Sequence, residues 1–315
     1  MASYLWKKVL LAVPTILGIT LIAFILLQLA PSDPALVSLT LDGTNAPTID
    51  EIQIKRHELG LDKPYIEQYT DWLKGLLHGN WGNSYITNEP VLDMLITASF
   101  VTVLLTVFAV LISMSIALPL AIILVMSSHK TIRTSVELIS IFIATVPSFW
   151  LAMVGIHIFA ENWSLFPTNG YDSLYSLVLP AIVLAIPVTG NLIRVQRISL
   201  EEVRSMNYIL FAKAKGLPIW HIIYKYMIRN SIISVLSLLG NYSRSLLGGA
   251  VVVELIFSLP GLGSAVLQAI QLRDYPMIQG YIVIMGIITI LVNIVIDLLY
   301  VWLQPEISIG GTHES

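Results

Sequence analysis

The chain contains no cysteine. That excludes disulfides and thiolate metal sites, and it leaves the redox compartment open. Charge is scarce as well: 12% of the 315 residues are Asp, Glu, Lys or Arg, where a soluble domain carries roughly a quarter. With 56% apolar residues and a mean hydropathy of +0.80, a water-soluble fold would expose more apolar area than monomers tolerate. The outer surface must therefore face lipid, which predicts an all-α integral membrane protein. There is no G-x-x-x-x-G-K-[ST] phosphate loop, so ATP hydrolysis by that route is excluded. His57-Glu58 is not followed by a second histidine at metalloprotease spacing, and His157 alone makes a poor metal site. No Ser/His/Asp arrangement is recognisable. The reading assigns no catalytic residue, no metal ligand and no cofactor. Internal repeats and low-complexity tracts are missing too.

What is present is a series of long apolar runs. The first, Val9 to Ala30, follows Lys7 and Lys8. It is too long for a signal-peptide core and right for a bilayer span, so it reads as a retained first helix. Five more follow at Ala98 to Met126, Ser135 to Ala160, Leu177 to Val195, Ile232 to Phe257 and Ile278 to Leu303. Six transmembrane helices are expected, several carrying prolines (Pro119, Pro147, Pro180, Pro187) that mark kinks. Lys7 and Lys8, then Lys130 and Arg133, then the bases from Arg194 to Arg229 fall on one side if the spans alternate. The positive-inside rule makes that side cytoplasmic, with both termini there. The expected organisation is a first transmembrane helix over 1–31, an extracellular segment over 32–97, a transmembrane core over 98–303 and a cytoplasmic tail over 304–315.

From Pro31 to Thr97 the chain carries ten acids and four bases. Within it, Thr48 or Asp50 can cap a helix that runs to Leu59, with Gly60 behind it. A second helix is expected from Tyr65 to Leu77, ending near Gly79. Tyr65, Tyr69, Trp72 and Trp81 suit a membrane interface.

Between the fourth and fifth apolar runs lies a basic island, Asn207 to Ser231. It reads as two short helices joined by a turn: Asn207 caps the first, Gly216 ends it in a left-handed conformation, and Pro218 opens the next at its first position. Such a stiff knob can transmit force between a partner and the membrane helices. A plain loop whose bases merely obey the positive-inside rule is equally compatible with the pattern.

The island resembles the EAA loop, placed near 204–224, of permease subunits of ATP-binding-cassette importers, in the oligopeptide/dipeptide/nickel family. Tyr208, Ala212, Ala214, Lys215 and Gly216 match that loop, followed by Arg229-Asn230. Asn207 stands where the family has an acid, and Leu210 and Phe211 where it has polar residues. The resemblance extends over almost the whole chain. It takes in Leu29-Ala30-Pro31-Ser32-Asp33-Pro34, Leu59-Gly60-Leu61-Asp62-Lys63-Pro64, Pro147-Ser148-Phe149-Trp150, Leu165-Phe166-Pro167-Thr168 and Leu179-Pro180-Ala181. It continues through Val253-Glu254, Pro260-Gly261-Leu262-Gly263, Arg273-Asp274-Tyr275-Pro276 and Asp297-Leu298-Leu299-Tyr300.

The resemblance implies a non-catalytic subunit of a bacterial inner-membrane importer working by alternating access. It implies two ATP-binding subunits that carry the ATP and dock on the cytoplasmic loop, a homologous second permease, an outer substrate-binding protein, and no nucleic acid. Tyr208, Ala212, Ala214, Lys215 and Gly216 are then the ATPase-coupling residues. Intramembrane charges are candidates for the translocation path: Arg244 with Asn241 beside it, and Glu254 further along, which could instead be a helix-end carboxylate satisfied by the Pro260–Gly263 turn. Gly248 and Gly249 suggest close helix packing. Nickel, a nickel chelate or short peptides are the candidate substrates, with the segment after the first helix leaning towards nickel. An ion-coupled secondary transporter would need paired intramembrane carboxylates or inverted repeats, and neither is evident. A membrane sensor is the other alternative, and unlike a permease it should not co-purify with ATPases.

Overall fold

The computed structural model describes residues 2–29, 33–41 and 47–303, without the side chains of 2–9, 11, 12, 41 and 244–249. The expected cytoplasmic tail, 304–315, and the Ala30-Pro31-Ser32 stretch lie outside the described residues. The described chain is helical, with one isolated bridge between Asn83 and Pro90. In order, the helices are α1 (Ala2–Gln28), α2 (Pro34–Leu41), α3 (Ile49–Glu58), α4 (Tyr65–Leu77), α5 (Val91–Met126), α6 (Lys130–Thr145) and α7 (Ser148–Gly155). After α7 come wide π-type turns over Ile156–Asn162 and a tight turn over Leu174–Leu177. Then follow α8 (Val178–Ser205), α9 (Asn207–Ala214), α10 (Ile219–His221), a second π-type stretch Ile222–Ile228, α11 (Arg229–Ile256), α12 (Leu262–Leu272) and α13 (Tyr275–Leu303).

Among the described residues, four helical stretches are long and apolar enough to cross a membrane: Val91–Met126, Leu174–Ser205, Ile219–Ser243 and Tyr275–Leu303. Counted as one, α6 with the helix from Ser148 to Asn162 makes a fifth, and α1 contributes a shorter apolar stretch, Val13–Gln28. The all-α membrane class stands, whereas the count of six does not follow from these residues alone.

One expected span is corrected. Ser135 to Ala160 is not one continuous helix but two, bent by 98° at Val146-Pro147. The cause is local. Val146 takes ψ 128° and Pro147 ψ 136°, because the proline ring disfavours a helical residue before it and supplies no N–H to the helix ladder.

The chain divides into two compact units, residues 1–101 with 260–290 and residues 102–259 with 291–315. In the first unit, α3 begins at the first of the two cap positions that the sequence offers, Thr48 rather than Asp50. Thr48 caps it in a capping box, with the Thr48 N–H donating to Glu51 Oε2 at 2.8 Å and the Glu51 N–H to Thr48 Oγ1 at 3.3 Å. Gly60 follows at φ 68°. Helix α4 occupies its expected span, and Gly79 lies beyond it at φ 79°. Close packing in this unit centres on Gly280, where an added Cβ would come within 2.7 Å of Val91 and Leu95 side chains. Two elements were not expected from the sequence, α2 and α12.

In the second unit the central element is α8. Its apolar stretch is 72% buried, against 33% for 219–243. Small residues explain how neighbours approach it. An added Cβ at Gly190 would stand 2.4 Å from the Ser140 carbonyl oxygen and 2.9 Å from Ala144, so α6 crosses α8 almost backbone to backbone. Gly155 of α7 lies against Leu179 and Val183. From α5, Ser113 Oγ donates to the Ala185 carbonyl at 3.1 Å. On the α11 side, Gln196 Nε2 donates to Ser231 Oγ at 2.8 Å and the Ser199 and Ser234 hydroxyls pair at 2.9 Å. These bonds join the elements and set the helix register, while Gln196 Oε1 is buried without a hydrogen-bond partner among the described residues.

Candidate functional site

Helix α9 follows α8 after a single break at Met206, whose ψ of 146° interrupts the helical run. Met206, not Asn207, occupies the cap position, and no side chain caps the helix. Asn207 is its first helical residue. The chain's cap preference for Asn is overridden here by the direct run-on from α8.

Two residues fasten α9. Ile209 and Ala212, one turn apart, are buried in a cluster with Ala121 and Val125 from the end of α5, Leu200 and Val203 from α8, and Ile222 and Met227 from the π-type stretch. Their neighbours point the other way: Tyr208, Leu210 and Phe211 are 41%, 57% and 62% exposed. Among the described residues, nothing covers these three large side chains on an eight-residue helix. Lys215 Nζ lies 4.6 Å from the centre of the Phe211 ring, a cation–π contact. Partial burial raises the pKa of the Tyr208 hydroxyl above its ordinary value.

The far end of α9 is a tight stop. Gly216 has φ 74°. Its N–H donates to Lys213 O at 2.9 Å, and the Leu217 N–H reaches Ala212 O at 3.3 Å. This pair of bonds is a Schellman ending, which demands a left-handed residue at that position. Leu217 folds back onto the same apolar cluster. Pro218 sits one position earlier than predicted, at the cap of α10 rather than inside it. Beyond it Ile219, Trp220 and Tyr224 are exposed. The structure thus brings Tyr208, Ala212, Ala214, Lys215 and Gly216 together on one short element, with Ala212 facing inwards and the other four exposed.

Around the same end of α8 lies a set of ion pairs formed by bases that entered the sequence analysis only through the positive-inside rule. Arg197 of α8 bonds Glu137 of α6 through Nη1 at 2.6 Å and Glu201 through Nε at 3.1 Å. Arg133 of α6 reaches Glu201 at 3.7 Å. Arg204 donates to the Val125 carbonyl at the end of α5. Only the Arg197–Glu201 spacing, four residues apart on a helix, could have been read from the sequence.

The path candidates are placed differently. Asn241 is exposed on α11. Arg244, Gly248 and Gly249 belong to the α11 backbone, and the Arg244 side chain lies outside the described residues. Glu254 is fully buried and accepts a 2.6 Å hydrogen bond from Thr102 Oγ1 of α5. Just beyond it, Ser258 at φ 51° ends α11, with the Leu259 N–H donating to the Glu254 carbonyl at 2.8 Å. His157 is paired with Glu161, four residues on, at 2.9 Å. No group of three or more metal-ligating side chains occurs among the described residues.

Similar proteins extend over the same residues. A Brucella abortus chain named for a peptide transport system permease is 33% identical, covering 98% of this chain and 99% of its own length. The oligopeptide transport system permease protein AppB of Bacillus subtilis is 30% identical over 98% of this chain and all of its own. In fold, a chain of the inward-facing MetNI methionine ABC transporter matches at TM-score 0.57 and 15% identity, covering 67% of this chain and 96% of that one. Two family models account for most of the sequence, an N-terminal one over residues 1–106 and the binding-protein-dependent transport system inner membrane component over residues 109–309. The chain therefore belongs to the inner-membrane permease components of binding-protein-dependent transport systems.

Proposed function

We propose that this chain is one of two permease subunits of an importer for short peptides, driven by ATPase subunits that seat on α9. The observation carrying the proposal is the two-sided character of that helix: Ile209 and Ala212 hold it to the bundle while Tyr208, Leu210 and Phe211 are left for a partner. Ala212 and Gly216 fix its placement, and Tyr208, Ala214 and Lys215 form the outer contact. Because the chain has no phosphate loop of its own, the free energy for uphill transport enters through this element. The α9 side is then cytoplasmic, and the acidic segment after α1 faces a substrate-binding protein outside.

Full-length relatives named for peptide, oligopeptide and dipeptide transport support peptides as the cargo. The lean towards nickel drawn from the segment after α1 finds no counterpart among them. Asn241, exposed on α11, fits a place along the path, as does Arg244 by its position in the same helix. Glu254, buried against Thr102, fits a tie between α5 and α11 better than a wall of the path.

The test is co-purification and uptake. Replacing Leu210 and Phe211 with aspartate should release the ATPase subunits while the chain still folds and inserts. Retention of both ATPases by that variant would overturn the coupling role of α9. Competition for labelled short peptides by unlabelled peptides, and none by nickel, is the expected uptake pattern. Uptake of labelled nickel with no uptake of labelled peptides would make nickel the cargo.

A further inference from the structure

We infer that the ion-pair lattice Arg133–Glu201–Arg197–Glu137 is a positioning device. It locks α6 to α8, so that displacement of α9 moves the bent α6–α7 span as one body with α8. This rests on the reading of α9 as the ATPase seat and adds the route by which its motion leaves that seat.

Three observations carry it, all within residues 102–259. First, α9 is fixed to α8 by burial of Ile209 and Ala212 beside Leu200 and Val203. Second, α8 meets α6 at two separated places. One is the Gly190 crossing, where Ser140 and Ala144 approach its backbone with no side chain between them. The other, about two turns further along α8, is Arg197, which holds Glu137 and Glu201 at once while Arg133 returns to Glu201. Third, α7 beyond the 98° bend also packs on α8, through Gly155 against Leu179 and Val183.

A helix pair fixed at a single crossing can still pivot about it. A second fixed point along the same pair removes that freedom. The Gly190 crossing is the pivot and the lattice is the second point. The three bonds join four side chains in alternating charge, and Arg197 uses two separate nitrogens, so its guanidinium is held in orientation as well as position. These side chains are partly exposed. Their contribution to folding stability is therefore small, as for most exposed pairs, and their role lies in fixing the angle between helices. The four residues lie on α6 and α8, not on the exposed face of α9.

The experiment uses the assembled importer, reconstituted with its ATPases and binding protein in vesicles and supplied with a mass-resolved mixture of short peptides. Substituting Arg197→Gln should leave assembly and ATP hydrolysis intact and lower peptide transported per ATP by about tenfold, the size of an ordinary coupling free energy. A purely structural role would instead lower assembly and hydrolysis together. Because the chain has no cysteine, the pair Glu137→Cys with Arg197→Cys can be bridged by a short bis-methanethiosulfonate, in a complex cleared of other reactive thiols. Before bridging, this variant should be uncoupled like Arg197→Gln. After bridging it should recover transport per ATP, and reduction of the bridge should remove the gain. Transport abolished by the bridge would mean that α6 and α8 slide past each other, overturning the proposal. Unchanged coupling in both Arg197→Gln and the unbridged double variant would overturn it equally. ATPases that stay bound to the aspartate variant of α9 would instead defeat the reading of the seat, a separate result.

Discussion

Substituting Gly190→Ala should destabilise this protein even though alanine is the better helix former. Two effects of opposite sign compete. Removing a glycine from a helix interior is worth about 1 kcal/mol in favour of alanine. Against it stands the added methyl, placed 2.4 Å from the Ser140 carbonyl oxygen and 2.9 Å from both Ala144 N and Ala144 Cβ. No atom in that set can rotate away, because all are backbone or Cβ. Relief requires α6 and α8 to separate, and overpacking of this kind costs about 1–3 kcal/mol, with rigid surroundings at the upper end. The expected net loss is about 2 kcal/mol. Gly18 of α1 is the matched control, since a Cβ there meets nothing within 4 Å, so Gly18→Ala should be neutral or slightly stabilising. Thermal unfolding of the two purified variants beside the parent, followed by size-exclusion chromatography, reads the difference. A Gly190→Ala protein as stable as Gly18→Ala would refute the backbone-to-backbone crossing on which the rigid α6–α8 pair depends.

Three further predictions are independent of that crossing. Gly216→Ala forces a side chain into φ 74° at a cost of about 1–2 kcal/mol. It should fray the end of α9 and weaken ATPase binding in a pull-down titration, while Gly216→Asn, which tolerates that conformation better, should bind nearly normally. Thr102→Val removes a hydrogen-bond donor to the buried Glu254 and should lower thermal stability by about 1–3 kcal/mol. An unchanged unfolding temperature would show that this bond contributes nothing. Asp274 caps α13 and holds the 84–85 turn, accepting from Ser84 Oγ at 2.5 Å and the Tyr85 N–H at 3.2 Å. Burial raises its pKa above the ordinary value of 3.8 despite those bonds. A carboxyl whose folded pKa is raised binds its proton more tightly when folded, so its contribution is fully present below the unfolded pKa and is lost as pH rises through the folded one. Stability of the parent relative to Asp274→Asn should therefore improve as pH falls through the carboxylate range. A gap that stays constant or widens the other way in denaturation at stepped pH would contradict that assignment.

Legibility in the sequence followed the range of the interactions. Features set within a few residues were readable. Thr48 or Asp50 marked the start of α3, Gly60 and Gly79 lay just past helix ends, and Gly216 marked the stop of α9. Each depends on backbone chemistry at one position. Pro147 signalled a kink, but its size depends on what the two halves pack against, and the 98° bend was not foreseeable from the proline alone. Helix α12 was missed because it lies between two spans and reads as a loop. Its apolar Leu262, Val266 and Ala269 at helical spacing, all buried, were the available signal. His157 and Glu161 at i,i+4 were likewise readable. The links between α6 and α8 were not, because Arg197 and Glu137 are sixty residues apart in sequence and nothing local pairs them. The division of α9 into a buried and an exposed face needed the positions of α5, α8 and the 222–228 stretch. From sequence, Ile209 and Leu210 are equivalent apolar residues.

On the proposed reading this bundle is a gate moved by ATPases seated on α9, with no energy source of its own. Uptake of labelled short peptides into vesicles holding this chain and its partner permease, with and without the ATPases, ATP and binding protein, measures it directly. Peptide should accumulate only when all of these are supplied. Accumulation against a gradient by the permease pair without ATPases and ATP would contradict it.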